Sequence, residues 1–317
     1  MSRPEPVVRV LSGLRGLYRA SQQERFLRWR KGLALLFACA VAAFLVWRLG
    51  QIGWGDIWRA RPASPGFYLL LVLSYFALPV ADALIYRQLW GIRFWQDLPV
   101  FLRKRIYNAA LVGYSGELYL LAWARKRVAQ DDLAIIHMIK DTNILSAAVS
   151  TYVSAGVIAW VLTRIDLSRI AAGPFLYWAA ATFVIAALIP FSLLFQRRFM
   201  LIGGMTAAAV FAIHLARFLL NQLLQLGQWH LEMPGVTGTV LASLLAVQLI
   251  VGRIPFLPSR DLLFVTIGIG LSSSLSLPQA TIASLLVTTS ALQQFLHLVV
   301  FAATSLGPRP LVREVAI

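Results

Sequence analysis

Charge is what this chain has least of. Only 13% of its 317 residues are Asp, Glu, Lys or Arg, against 59% hydrophobic, where a soluble domain carries about 25% charged residues. So few polar side chains cannot cover a globule of this size, and the excess apolar surface is expected to face lipid. At about 20 residues per membrane-spanning helix, the length accommodates about seven or eight spans of an all-α polytopic membrane protein. Cysteine is almost missing: Cys39 alone, inside an apolar run, excludes a disulfide framework and a cysteine-based metal site. The four histidines, His137, His214, His230 and His297, are scattered. They fit a haem or metal-centred enzyme poorly, so no cofactor and no metal are expected. Carboxylates are scarce too, 13 against 29 basic residues, for a net charge of +16. In a soluble protein that balance would suggest nucleic acid. Here the basic residues cluster at the ends of apolar runs, where they set orientation and meet anionic headgroups, and no nucleic-acid partner is expected. No Gly-x-Ser-x-Gly elbow, P-loop or His-Glu-x-x-His occurs, which disfavours hydrolase, ATP-driven and zincin chemistry.

What is present is a succession of apolar runs. Residues 1–32 hold eight basic residues and end in Arg28-Trp29-Arg30-Lys31. That region is far too long for the head of a cleaved signal peptide. It reads as a basic cytoplasmic segment before an uncleaved first span at 33–49. A second span is expected at 66–89, then others at 143–163, 174–195, 201–227, 236–254 and 279–306, within one transmembrane domain over 33–306 and a short tail over 307–317. Two apolar pieces break the pattern. Residues 107–123 are interrupted by Gly113 and Gly116 and basic at both flanks, so a full crossing would leave one basic flank outside. A re-entrant or interfacial hairpin suits them better, since irregular backbone at membrane depth is tolerated against protein or a wet cavity. Residues 255–277 contain Pro255, Pro258, Gly268 and Gly270 and read as a second half-helix. Two such pieces in opposite halves are the pattern of a midplane site between structural repeats in secondary transporters. The repeat itself is not displayed by residue identity.

Ionisable groups inside a span are costly and face a cavity or a partner. Asp82 lies within the second run, four residues before Tyr86 and on the same helix face. His214, Arg217, Asn221 and Gln225 recur at intervals of three and four, forming one polar stripe on an otherwise apolar helix. Arg217 is always charged. It either pairs with Asp82, Glu117 or Asp261, or binds the phosphate of a lipid headgroup through its bidentate fork. Glu117 follows the glycines of the first irregular piece, where half-helix ends can meet a polar substrate. Arg253 and Arg260 flank the second piece, where a membrane-edge anchor also explains them. Ser146, Ser150 and Ser154 stack at four-residue spacing in the third run, which reads as close helix packing. His137 and Asp141 stand four apart. A hydrogen-bonded cap explains them better than a membrane acyltransferase pair, in which four residues intervene rather than three.

Gly113-Tyr-Ser-Gly-Glu117, with the basic stretch before it, resembles the first block of the lysylphosphatidylglycerol synthase transmembrane region, or flippase-like, family. That block usually reads Pro-Gly-Arg-x-Gly-Glu. Asp141 is similar to the aspartate that opens the next span there. Arg253-Ile-Pro-Phe-Leu-Pro-Ser-Arg-Asp261 falls where the family has its second Pro-containing block. The resemblance covers nearly the whole chain in order and spacing, as a divergent member: Tyr114 replaces an arginine, and the second block keeps only Asp261 as an acid. It implies lipid translocation or export, without the soluble synthase domain of better-known relatives.

The expectation is therefore an inner-membrane bacterial protein with a cytoplasmic N-terminus that moves a lipid or lipid-linked headgroup between leaflets. The lipid would be a phospholipid, a hopanoid or polyprenyl-linked. Its headgroup would meet Arg217, Glu117, Asp82, Arg105, His214, Asn221, Asp141, Arg253 and Asp261, with Arg217 and Arg105 holding anionic charge and Glu117 with Asp82 contacting hydroxyl or amine groups or carrying a coupling proton. Two alternatives stay open: a non-catalytic membrane subunit of a lipid- or glycan-synthesis enzyme, and a membrane-embedded lipid-modifying transferase; the protein partner to look for is such an enzyme or a second copy of the chain.

Overall fold

A computed structural model describes residues 61–110, 114–164, 200–252, 264 and 279–306. They form seven helices and no strand. In chain order these are α1 (Pro65–Trp90), α2 (Phe94–Ala110), α3 (Ser115–Arg127), α4 (Asp132–Leu162), α5 (Gly204–Glu232), α6 (Gly238–Val251) and α7 (Gln279–Leu306). Four of them, α1, α4, α5 and the Leu285–Leu306 part of α7, are long and apolar enough to cross a membrane. The basic segment 1–32, the runs at 33–49 and 174–195, the irregular piece at 255–277 apart from Phe264, and the tail 307–317 lie outside the described residues.

Local signals set the helix ends. Proline occupies the first turn of α1, where its missing N–H is no loss. Gly91 closes that helix at φ 63°, its N–H returning to the Arg87 carbonyl, a left-handed position suited to glycine. The Ser64 side chain makes no cap bond. Instead Glu232, at the end of α5, accepts from the backbone N–H groups of Ala63 and Ser64, each at 3.1 Å. Asp131 caps α4 conventionally by accepting from the Ala134 N–H at 2.7 Å. That cap starts the helix at Asp132, eleven residues ahead of the 143–163 run: its polar first turns continue the helix beyond the apolar stretch. The 236–254 run yields only the 14 residues of α6, about 21 Å at 1.5 Å per residue, short of the ~30 Å hydrocarbon core.

The first irregular piece is a helical hairpin. Tyr107 meets Tyr119, Phe101 meets Trp123, and Asp97 meets Arg127, so α2 and α3 run antiparallel. Their 17 and 13 residues give lengths of about 26 and 20 Å. Helix α1 is antiparallel to α2, as Tyr86 stacks on Phe101 and Asp82 meets Lys104. It is antiparallel to α4 through Trp90–Met138 and Tyr86–Thr142. It is antiparallel to α5 as well: Glu232 caps its start, while Ile85 packs with Val210 near its end. Phe67, Leu71, Trp229, Leu244, Leu245 and Leu285 fill one buried cluster where α1, α5, α6 and α7 meet. Arg103 ties α2 to the end of α7 by donating to the Thr304 hydroxyl and carbonyl. Only 11% of the most apolar stretch of α5 is buried, and Leu219, Leu220 and Leu223 point outward. An apolar helix this exposed suits a lipid environment and not water.

Candidate functional site

The α1 C-terminus, the α2 N-terminus, the α3 C-terminus and the N-termini of α4 and α5 share one end of the bundle. That end carries Arg87, Arg93, Arg125 and Lys126. Asp82 lies eight residues from it along α1, and Thr142 and His214 lie ten residues from it along α4 and α5. At 1.5 Å per residue, all three sit about 12–15 Å from that end of the bundle.

A cavity of about 210 Å³ opens at this depth. Its apolar wall is Leu78 and Ile85 of α1, and its polar wall draws on five helices. Helix α1 contributes Asp82 and Tyr86, one turn apart. From α2 come Lys104, Arg105 and Asn108, and from α3 comes Glu117. Helix α4 adds Thr142, Asn143 and Ser146, and α5 adds His214 and Arg217.

The charges in this wall are unevenly matched. Lys104 Nζ donates to Asp82 Oδ2 at 2.7 Å and lies 3.5 Å from Glu117 Oε1. The three side chains are only 8%, 7% and 14% exposed, so this is a buried triad in which one ammonium serves two carboxylates. Tyr86 lies beneath the ammonium and donates its hydroxyl to Thr142 Oγ1, since Thr142 gives its own proton to the Ile139 carbonyl. The other two cations have no carboxylate within ion-pair distance among the described residues. Arg105 stacks over the Tyr75 ring at 4.6 Å, and its Nε is buried without a partner. Arg217 donates once, to Ser146 Oγ at 3.1 Å, and its Nε is likewise unpartnered. Glu117 Oε2 is buried and unpartnered as well. Behind Arg105, the Tyr75 hydroxyl bonds His297 Nδ1 at 2.8 Å.

One close approach holds the triad in place. Gly116 donates its N–H to Asn108 Oδ1, and Ser115 donates its hydroxyl to the Tyr107 carbonyl, both at 2.7 Å. A Cβ on Gly116 would lie 2.2 Å from the Lys104 carbonyl, so only glycine lets α3 start against α2. Tyr114 precedes it at φ 73°, a region unusual for a non-glycine residue. This turn aims Glu117, in the first helical turn, back at Lys104.

Five residues singled out from the sequence meet here: Asp82, Arg105, Glu117, His214 and Arg217. Asp141 does not. It is fully buried, but its Oδ2 accepts from the backbone N–H groups of Leu201 and Ile202 at 2.6 and 3.1 Å. It thereby fixes the chain before α5. Asp141 also lies well inside α4 and does not open it. His137 faces Lys140 at 3.3 Å and makes no bond with Asp141. Asn221 is half-buried with an unpartnered Oδ1 and lies outside the cavity lining, as does Gln225. Arg253 and Asp261 fall outside the described residues. Arg217 does not pair with Asp82 or Glu117, because Lys104 takes both. Lys104 joins the site without being a candidate from the sequence, where it reads as one more membrane-edge basic residue, although a signal exists: Asp97, Val100, Phe101, Lys104 and Tyr107 follow helical spacing along the buried face of α2. Among the described residues, no cluster of His, Cys, Asp and Glu could hold a metal.

Comparison with protein-family models, with curated proteins and with solved structures finds no match to this chain.

Proposed function

We propose that this protein moves a lipid between leaflets, with the lipid's anionic headgroup lodged in the cavity and its acyl tails left in the bilayer. The observation that carries this reading is the pair of guanidiniums. Arg105 and Arg217 come from different helices, line one cavity, and have no carboxylate within ion-pair distance among the described residues, Asp82 acting on both only from farther off. A structural ion pair would have matched them. Buried unmatched cations are retained at a cost, and a phosphate or similar anion would relieve it through charge-assisted bonds.

The cavity volume supports a headgroup and excludes a whole lipid: about 210 Å³ is below the ~300 Å³ lower bound of ordinary ligand pockets. The likeness of Gly113–Glu117 to the flippase-like family adds to the reading, because Glu117 of that segment reaches the cavity. In this scheme the basic end of the bundle faces the cytoplasm and gathers anionic lipid from the inner-membrane surface. Arg105 and Arg217 hold the phosphate. The Lys104 triad places two carboxylates in the same cavity wall. Energy comes from a gradient, the membrane potential or mass action.

The test is leaflet exchange in proteoliposomes, with fluorescent phospholipid, hopanoid and polyprenyl-phosphate probes. Wild type should exchange a phosphate-bearing probe well above empty liposomes, and Arg217→Ala should abolish this while remaining folded. Wild type indistinguishable from empty liposomes for every probe sinks the proposal.

A further inference from the structure

The guanidiniums explain an anion, but they leave one buried atom without a role. Glu117 Oε2 has no hydrogen-bond donor among the described residues, although its carboxylate is only 14% exposed. Its other oxygen is held loosely, 3.5 Å from a Lys104 ammonium that is already committed to Asp82 at 2.7 Å. A carboxylate oxygen buried in this way is normally satisfied. Residues lining one cavity therefore hold two unpartnered buried donors, Arg105 Nε and Arg217 Nε, and one unpartnered buried acceptor, Glu117 Oε2.

Resting on the reading above, we infer that Glu117 is a specificity-determining residue: it selects phosphodiester headgroups that carry an N–H or O–H donor near the phosphate and rejects those that carry none. The two arginines bind what all phospholipids share. Glu117 reads what distinguishes them. A primary ammonium or a hydroxyl two or three bonds beyond the phosphate would donate to Oε2. A trimethylammonium group has no hydrogen to donate and would leave the oxygen buried and unpaired, a stronger ground for rejection than a mere loss of contact. A neutral polycyclic lipid would satisfy neither the arginines nor Glu117. The rest of the lining adds no free acceptor charge: Asp82 is occupied by Lys104, and Asn108, Asn143 and Ser146 are neutral.

The chemistry is the same whether the donor-bearing phosphodiester belongs to a lipid or is a free glycerophosphodiester, so the experiment separates the two. Binding of short-chain dihexanoyl phosphatidylethanolamine, phosphatidylglycerol and phosphatidylcholine to the full-length protein in detergent would be measured by calorimetry. Glycerophosphoethanolamine serves as the tail-free arm. The ethanolamine and glycerol lipids should bind about tenfold or more tighter than the choline lipid, the scale of a charge-assisted hydrogen bond. Glu117→Leu should bring the three affinities together by weakening the first two. Arg217→Gln should weaken all three and keep their order. Where Glu117→Leu fails to fold, Glu117→Gln should still narrow the gap, since an amide oxygen is the weaker acceptor. Tail-free ligand binding as tightly as the lipid assigns the site to a soluble phosphodiester, and much weaker binding assigns it to the lipid. Equal affinity for all three lipids in wild type, or a preference that survives Glu117→Leu, overturns the inference and leaves the headgroup reading standing. Absence of binding by any phosphodiester overturns the headgroup reading itself.

Discussion

Replacing Lys104 by methionine is the most direct perturbation of this site. The ammonium lies 2.7 Å from Asp82 and 3.5 Å from Glu117. At an effective dielectric of about 20 the gross attractions are roughly 6 and 5 kcal/mol. Much of that offsets the desolvation of three charges, so the net value of the triad is small. Removing one partner is another matter, because the desolvated carboxylates remain. Breaking a buried pair in this way costs about 3–5 kcal/mol. The low exposure of Asp82 and Lys104, 7% and 8%, leaves little solvent to soften it. Lys104→Met should therefore lose about 3–5 kcal/mol of unfolding free energy in mixed-micelle denaturation followed by circular dichroism. Adding Asp82→Asn removes the stranded charge and should restore more than half of the loss, a coupling of about 2 kcal/mol. A loss below about 1 kcal/mol for the single variant, or strict additivity in the double one, would refute the reasoning, since either outcome means that water reaches these charges.

Three further outcomes follow from the packing. Gly116→Ala should destabilise by at least about 2 kcal/mol and reduce headgroup binding, because the added methyl meets the Lys104 carbonyl at 2.2 Å; Gly156→Ala, with nothing within 4 Å, should be neutral or stabilising by up to about 1 kcal/mol. Asp141→Ala strips two backbone N–H groups of their acceptor and should cost about 2–3 kcal/mol in the same unfolding assay. Calorimetry of that variant should return an unchanged lipid affinity, and a loss of affinity would put Asp141 back into the site. Glu232→Ala should cost about 1–2 kcal/mol, read by the same denaturation, as the start of α1 loses its cap.

Hydropathy and charge fixed the class of molecule without reference to tertiary contacts. A shortage of polar side chains is a property of the whole composition, and apolar runs long enough to cross a bilayer are local, so span-length helices at 65–90 and 204–232 are legible directly. Periodicity within a helix was legible too: it set His214 and Arg217 on one face, and both face the cavity. The Gly113–Glu117 segment announced an interruption, because glycine weakens a helix, and α3 begins within it, at Ser115. What spacing could not reach was the pairing of charges across helices. Asp82, Lys104, Glu117 and Arg217 belong to four different helices, and nothing in their order says which cation takes which carboxylate. Lys104 wins both because it faces α1 and α3 at once from the hairpin, leaving Arg217 only a serine. Asp141, a candidate through its likeness to a span-opening aspartate, binds the backbone before α5, and Asn221 lies one turn beyond the cavity on the same stripe. A sequence states which residues are charged and which face of a helix they share. Which charges neutralise each other and which stay open to a ligand depends on distances of a few ångströms between helices, because electrostatic matching in a desolvated site is decided by the nearest partner.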